Sequence, residues 1–215
     1  MKVVCLWSAG KDSCLAACDA IAQGHTVKAL FNFTEMDGHN SLSHGLKAAV
    51  IHRQAALTGI PFFQKAMPKG TYRDEFKALI EHWKKSEGIE GIVFGDIFLQ
   101  EHKEWIDSVC KELDVVAVMP LWGRDTSVLI DEFIKKGFKA IVVAVKADVM
   151  SGEWLGREID EKFVSDIKAA GMIDPCGEKG EYHTFVYDGP IFKRRVDFKR
   201  GERTAGSGTF FLEIA

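Results

Sequence analysis

The opening stretch, MKVVCLWSAGKDSCLAACDAIAQG, constrains this chain more than any other part of it. Lys2 to Trp7 is a short apolar run with β-branched residues, the pattern of a fully buried strand. Ser8-Ala9-Gly10-Lys11-Asp12-Ser13 is a small polar turn, after which Leu15, Cys18 and Ile21 recur at helical spacing up to a Gly24 stop. Strand, small-residue turn and helix N-terminus together are how an α/β protein holds a phosphate. The first N–H groups of a helix have no intrahelical partner, and the helix dipole favours an anion there. Gly10 lets the backbone approach closely, Lys11 adds positive charge, and the Ser8 and Ser13 hydroxyls can donate. By itself the hexapeptide also reads as a solvated turn, so its weight depends on context.

Composition narrows the classes. At 215 residues the chain can bury a core as one large domain or two smaller ones. A net charge of −3 argues against a general basic surface for nucleic acid, so nucleic acid is an unexpected partner. No apolar run reaches the roughly 18 residues that would span a bilayer, and no signal-peptide pattern opens the chain. Cys5, Cys14, Cys18, Cys110 and Cys176 are scattered through apolar patterns and read as reduced thiols in a cytoplasmic protein.

Further along, Thr26 to Phe33 reads as a second strand, and Thr34 to Gly45 as a polar loop carrying His39 and His44. That loop would lie at the carboxyl ends of the strands, where open α/β sheets bind ligands. Leu46 to Thr58 predicts a helix, Phe62 to Ala66 a strand, and Thr71 with Asp74 a capping box ahead of a helix. Ile89 to Phe94 predicts a buried strand ending in Gly95-Asp96, so Asp96 would sit over the site and could hold magnesium or substrate. A helix over 101–113 and a strand over 115–119 complete a βαβ series of parallel character. Pro120 to Thr126 is the natural break. After it come a helix capped by Asp125 or Thr126, a strand from Lys139 to Val145, and a helix from Asp160 to Ala170. Strands are then expected at Phe185–Val186, Ile191–Phe198 and Thr209–Ile214. The pattern predicts an α/β domain over 1–122 and a smaller C-terminal α+β domain over 123–215, with a cleft between them.

Residues 174–184, DPCGEKGEYHT, are richer in chemistry than structure requires. On a strand, Glu181 and His183 would point to one face, with Cys176 and Glu178 just upstream on a glycine-punctuated loop. A metal site from Cys176, Glu181 and His183, a structural loop, and a catalytic or substrate-binding run are all compatible with this spacing.

The turn at Ser8–Ser13 resembles the PP-loop, S-G-G-x-D-S, of the ATP pyrophosphatases, with Ala9 in place of the first glycine. A positive φ there would strain Ala9; an ordinary one would cost nothing. The run C-G-E-x-G-E-[FY]-H-T-x-V-x-D-G-P, present as Cys176 to Pro190, is similar to the C-terminal signature of the diphthine–ammonia ligase family of PP-loop proteins. Phe94-Gly95-Asp96-Ile97, Pro120-Leu121-Trp122, Leu155-Gly156, His44, Gln54-Ala55 and Gly59-Ile60-Pro61 also match that family's pattern.

The resemblance implies a Rossmann-like (HUP-type) parallel sheet and an ATP-dependent amide ligase. It would adenylate a carboxylate, release pyrophosphate, and let ammonia displace AMP; in the family the carboxylate is diphthine on elongation factor 2. By the same resemblance, Ser8, Ala9, Gly10, Lys11, Asp12 and Ser13 would hold ATP, with Asp12 acting through Mg2+. Asn32, Phe33, Gly95 and Asp96 would complete the nucleotide site, and His44 and Trp122 would join Glu178 and Glu181 at the second substrate. Asp12, Glu178, Glu181 and His183 are the catalytic candidates. Two other readings stay open, a relative that amidates a small metabolite and a non-catalytic nucleotide-binding module. Oligomeric state is not legible.

Overall fold

A computed structural model describes residues 1–215. Strands β1 (Lys2–Leu6), β2 (Thr26–Thr34), β3 (Phe62–Ala66), β4 (Gly91–Val93) and β5 (Val116–Val118) form one parallel sheet in the order 3-2-1-4-5. The middle of β1 is wholly buried, as expected for a central strand covered by helices on both faces. Helices α1 (Lys11–Ala22), α2 (Ala48–Ala56), α3 (Tyr72–Glu87) and α4 (Gln100–Leu113) supply that cover. The strand order reverses between β1 and β4, so the loops leaving these two strands flank a crevice at the sheet's carboxyl edge. The phosphate turn is one of those loops and Gly95-Asp96 the other.

Helix α5 (Thr126–Lys135), α6 (Glu161–Ala170) and an antiparallel sheet make up the rest. That sheet runs β7-β6-β9-β8, with β6 (Lys139–Lys146), β7 (Tyr182–Asp188), β8 (Arg200–Gly206) and β9 (Thr209–Ile214). One apolar cluster of 41 buried residues runs from Val3 and Cys5 of β1 through β6 to Leu212 and Ile214 of β9, so both sheets share a core. Asp19 of α1, itself buried, binds Lys136 and, at 3.4 Å, Arg124. No helix is long and apolar enough to cross a membrane.

Two local expectations are corrected and one open alternative is settled. Residues 191–198 are not a strand: after Pro190 the run Lys193-Arg194-Arg195 breaks the alternation, and the segment reaches β7 mainly through the Val196 N–H on the Tyr187 carbonyl. The strand lies instead at β8, an exposed edge whose polar sequence gives no period-two signal. Thr71 stands at the N-cap of α3, but its side chain makes no capping bond, because its hydroxyl donates back to the Pro68 carbonyl at 2.9 Å. Asp125, rather than Thr126, caps α5 by accepting the Val128 N–H at 3.0 Å.

Candidate nucleotide and acceptor site

The phosphate turn is knit by its own hydroxyls. Ser8 Oγ donates to Ser13 Oγ at 3.1 Å and accepts the Gly10 N–H at 3.3 Å, while Ser13 Oγ donates to the Gly10 carbonyl at 3.0 Å. Gly10 is the N-cap of α1, with φ −86° and ψ 170°. It needs no special dihedral; it needs the absence of a side chain, because a Cβ there would lie 2.3 Å from His44 Cε1. Gly95 is glycine for a similar reason: its Cβ would lie 3.0 Å from the Asp12 carbonyl carbon.

Ala9 carries the strain that the sequence left open. Its φ is 67°, and the residue is wholly buried. An alanine in the left-handed region costs about 1–2 kcal/mol relative to glycine. Glycine would give part of that back through the greater freedom of the unfolded chain, about 0.4–1 kcal/mol. Ala9→Gly is therefore expected to stabilise the fold by about 0.5–1 kcal/mol, read as a shifted midpoint in urea unfolding; an unchanged or lowered midpoint would show that the turn relaxes around alanine.

Lys11 is buried and donates to Asp12 Oδ2 at 2.8 Å, with its ammonium 5.3 Å from the Tyr182 ring centroid. Burial works to lower its pKa, but Asp12 foremost, then Cys176 and Glu178, together outweigh it and hold the ammonium above its usual pKa. Burial raises the Asp12 carboxyl, Lys11 pulls it down, and Asp96 adds a smaller upward push. Two carboxylates on one cavity are a hard-oxygen pair suited to Mg2+, which binds through one or two carboxylates plus phosphate oxygens. Asp12 and Asp96 would hold the ion, which supplies charge neutralisation of the phosphates. No three His, Cys, Asp or Glu side chains converge on a common point.

The turn opens onto a cavity of about 580 Å³. Ser8, Lys11, Asp12 and Ser13 line it, together with Gly95, Asp96, Asn32, Phe33 and His44. Asn32 is committed within the fold: its amide donates to the Trp7 carbonyl at 2.9 Å and to Ser41 Oγ at 3.0 Å. The 176–184 run lines it as well, through Cys176, Glu178, Tyr182, His183 and Thr184. The turn and this second wall touch, since the Lys11 N–H donates to Thr184 Oγ1 at 3.0 Å.

Four expected members do not line this cavity: Ala9 and Gly10, both buried in the turn, and Glu181 and Trp122. Glu181 is buried, and its oxygens accept the Asp174 N–H at 3.0 Å and the Lys179 N–H at 2.9 Å. It is the strut of the loop that leads into β7. Trp122 lies elsewhere, with the Lys103 ammonium 5.9 Å from its ring centroid. Glu178 is at the cavity but half spent: its Oε1 accepts the Ile97 N–H at 3.0 Å and the Phe98 N–H at 3.3 Å, clasping the loop after β4.

His183 stacks on His44, with ring centroids 4.5 Å apart and planes 20° apart. Burial and then Lys11 lower the His183 pKa to about 4. Burial, then His183 and Lys11, push His44 well below the ordinary imidazole value. Both rings are neutral at pH 7. His44 also has a left-handed backbone, φ 65°, and a buried Nδ1 without a hydrogen-bond partner. Tyr72, His102, Tyr182 and Thr184 line the cavity as well and were not among the expected site residues. His102 Nδ1 lies 2.8 Å from Asp96 Oδ1. Tyr182 and Thr184 sat inside the signature run; Tyr72 and His102 had no local signal.

A doubly covered parallel sheet with a PP-loop at its switch point, sharing one cavity with a run that leads into an antiparallel sheet, defines a Rossmann-like nucleotide-binding protein of the PP-loop class. Family models narrow this further. The diphthamide synthase N-terminal domain matches residues 1–117, and the diphthamide synthase C-terminal domain matches residues 125–214. The chain belongs to the diphthamide synthase family, a family of ligases. It is similar to the mouse protein named diphthine–ammonia ligase, 28% identical over 240 residues that cover 100% of this chain and 89% of the relative. The human protein of the same name is 27% identical with the same coverage. The fission yeast one is 28% identical over 91% of this chain but only 36% of its own length. A predicted tRNA methyltransferase subunit from Methanocaldococcus jannaschii superimposes with a TM-score of 0.49 at 15% identity, over 91% of this chain and all of the other.

Proposed function

We propose that this chain is an ATP-dependent ligase that adenylates the carboxylate of diphthine on elongation factor 2 and passes the acyl group to ammonia. Residues 1–122 would bind ATP and residues 123–215 would present the acid, in a cytoplasmic setting. The observation that carries this reading is that Lys11, Asp12 and Ser13 line one cavity together with Glu178 and His183. The names of the relatives supply the substrate.

A carboxylate is a poor electrophile until one of its oxygens becomes part of a phosphate leaving group. In the first step a carboxylate oxygen attacks the α-phosphorus of ATP, and the bond to the β-phosphate oxygen breaks to release pyrophosphate. The N-terminus of α1 and the charged Lys11 offset the negative charge gathered there. In the second step ammonia attacks the acyl carbon and AMP leaves with its oxygen. The walls align these groups rather than supply covalent chemistry. Neutral His183 is suited to accept a hydrogen bond from ammonia, because Glu181 is fully committed and Glu178 half so.

The test incubates the chain with ATP, Mg2+, ammonium chloride and elongation factor 2 carrying diphthine, and follows nucleotide and protein products separately. AMP, pyrophosphate and an amidated factor are expected in equal amounts. ADP as product would overturn the mechanism. AMP formed with small carboxylic acids but never with the factor would move the substrate to a metabolite, and ATP bound without turnover would leave a binding module.

A further inference from the structure

Gln54 of α2 is fully buried, yet its amide makes three hydrogen bonds to three separate elements. Its Oε1 accepts the Trp7 indole N–H at 2.7 Å, just beyond the end of β1. Its Nε2 donates to the Ala9 carbonyl at 3.0 Å, in the phosphate turn, and to the Val186 carbonyl at 2.7 Å, within β7. The Ala9 carbonyl takes a second bond from the Val186 N–H at 3.0 Å.

The direction of these bonds matters more than their number. Across a trans peptide the carbonyl and the next N–H point in opposite directions. Drawing the Ala9 carbonyl toward α2 and β7 therefore turns the Gly10 N–H the other way, to the side where Ser8 Oγ now accepts it at 3.3 Å. Backbone N–H groups at a helix start are what a phosphate binds. Ala9 holds this orientation at a φ of 67°, which an alanine does not adopt without outside support. Gln54 and Val186 supply that support.

We propose that Gln54 is a positioning residue for nucleotide binding. It fixes the Ala9–Gly10 peptide so that the Gly10 N–H faces the triphosphate, and it joins β7 to the turn so that the two walls of the cavity move as one body. This rests on the ATP reading of the turn, and goes beyond it in assigning the turn's geometry to a residue of α2 that bonds to it from behind.

Calorimetric titration of the full chain with MgATP tests it. Gln54→Leu removes two donated bonds at the turn and β7, and the dissociation constant for ATP is expected to rise about tenfold or more. Adding Ala9→Gly should recover part of that loss, because glycine holds the dihedral unaided. Ile80→Val, in the separate apolar cluster under α3, is the stability control and should lower the melting temperature with ATP affinity unchanged. Should Gln54→Leu fail to fold, Gln54→Met keeps the length of the side chain without a charge while losing the donated bonds, and the same rise is expected. ATP affinity within about twofold of the unaltered chain, or no recovery on adding Ala9→Gly, would overturn the proposal while leaving the ligase reading intact. Failure of the unaltered chain to bind ATP would overturn both.

Discussion

Asp12→Asn is expected to lower ATP-dependent AMP formation by at least about a hundredfold while leaving the fold in place. A carboxylate beside a triphosphate is repulsive unless something lies between them: two like charges 4 Å apart at an effective dielectric constant of 20 cost about 4 kcal/mol. A nucleotide site that keeps Asp12, and Asp96 with it, is understandable only if those oxygens meet a cation. Lys11 already takes one oxygen of Asp12 at 2.8 Å, which leaves the other for a magnesium ion. Asparagine keeps an acceptor for the buried Lys11 ammonium but loses the charge, so it separates catalysis from stability better than alanine, which would leave Lys11 without its partner. Circular dichroism melting and AMP release measured on the same sample decide the matter. Full turnover by Asp12→Asn would remove the phosphate turn from the mechanism.

The features legible in the sequence were those whose signal is local. The β1–turn–α1 unit declared itself because a buried parallel strand, a small polar turn and a helical repeat follow one another without interruption. Asp96 was expected by the rule for carboxyl ends of parallel strands, and it lines the same cavity as the phosphate turn. What escaped depends on contacts distant in the chain. Gln54 was visible only as part of a motif, with no hint that it reaches Ala9 and Val186. Gly10 looked like an accommodation to phosphate, whereas its lack of a side chain makes room for His44, more than thirty residues on. Glu181 was read only as a member of its run; that its two oxygens hold the Asp174 and Lys179 N–H groups depends on how the loop folds.

The difference between Glu181 and His183 sets the second large effect. Glu181→Ala removes the acceptor of two backbone N–H groups in a buried loop, which costs about 1–3 kcal/mol for each group left unsatisfied. Its main consequence should be a lowered melting temperature, with any loss of activity following the loosened loop. His183→Ala takes away a cavity wall without removing a hydrogen bond that holds the loop. Its stability should change little beyond the lost stacking on His44, while amide formation falls by about a hundredfold or more. ATP affinity should stay near normal, because Lys11, Asp12 and Ser13 sit on the other wall. His183→Asn, which restores a polar group of similar reach, should recover part of the rate. The assay follows AMP and amide separately with diphthine-bearing elongation factor 2 and ammonium present. AMP accumulating without amide would place His183 at the ammonia step, and loss of both would place it at alignment of the acid. Amide formed at the unaltered rate by His183→Ala would show that the C-terminal wall is a scaffold only. A catalytic loss in Glu181→Ala at unchanged melting temperature would restore Glu181 to the chemistry from which the two backbone hydrogen bonds remove it.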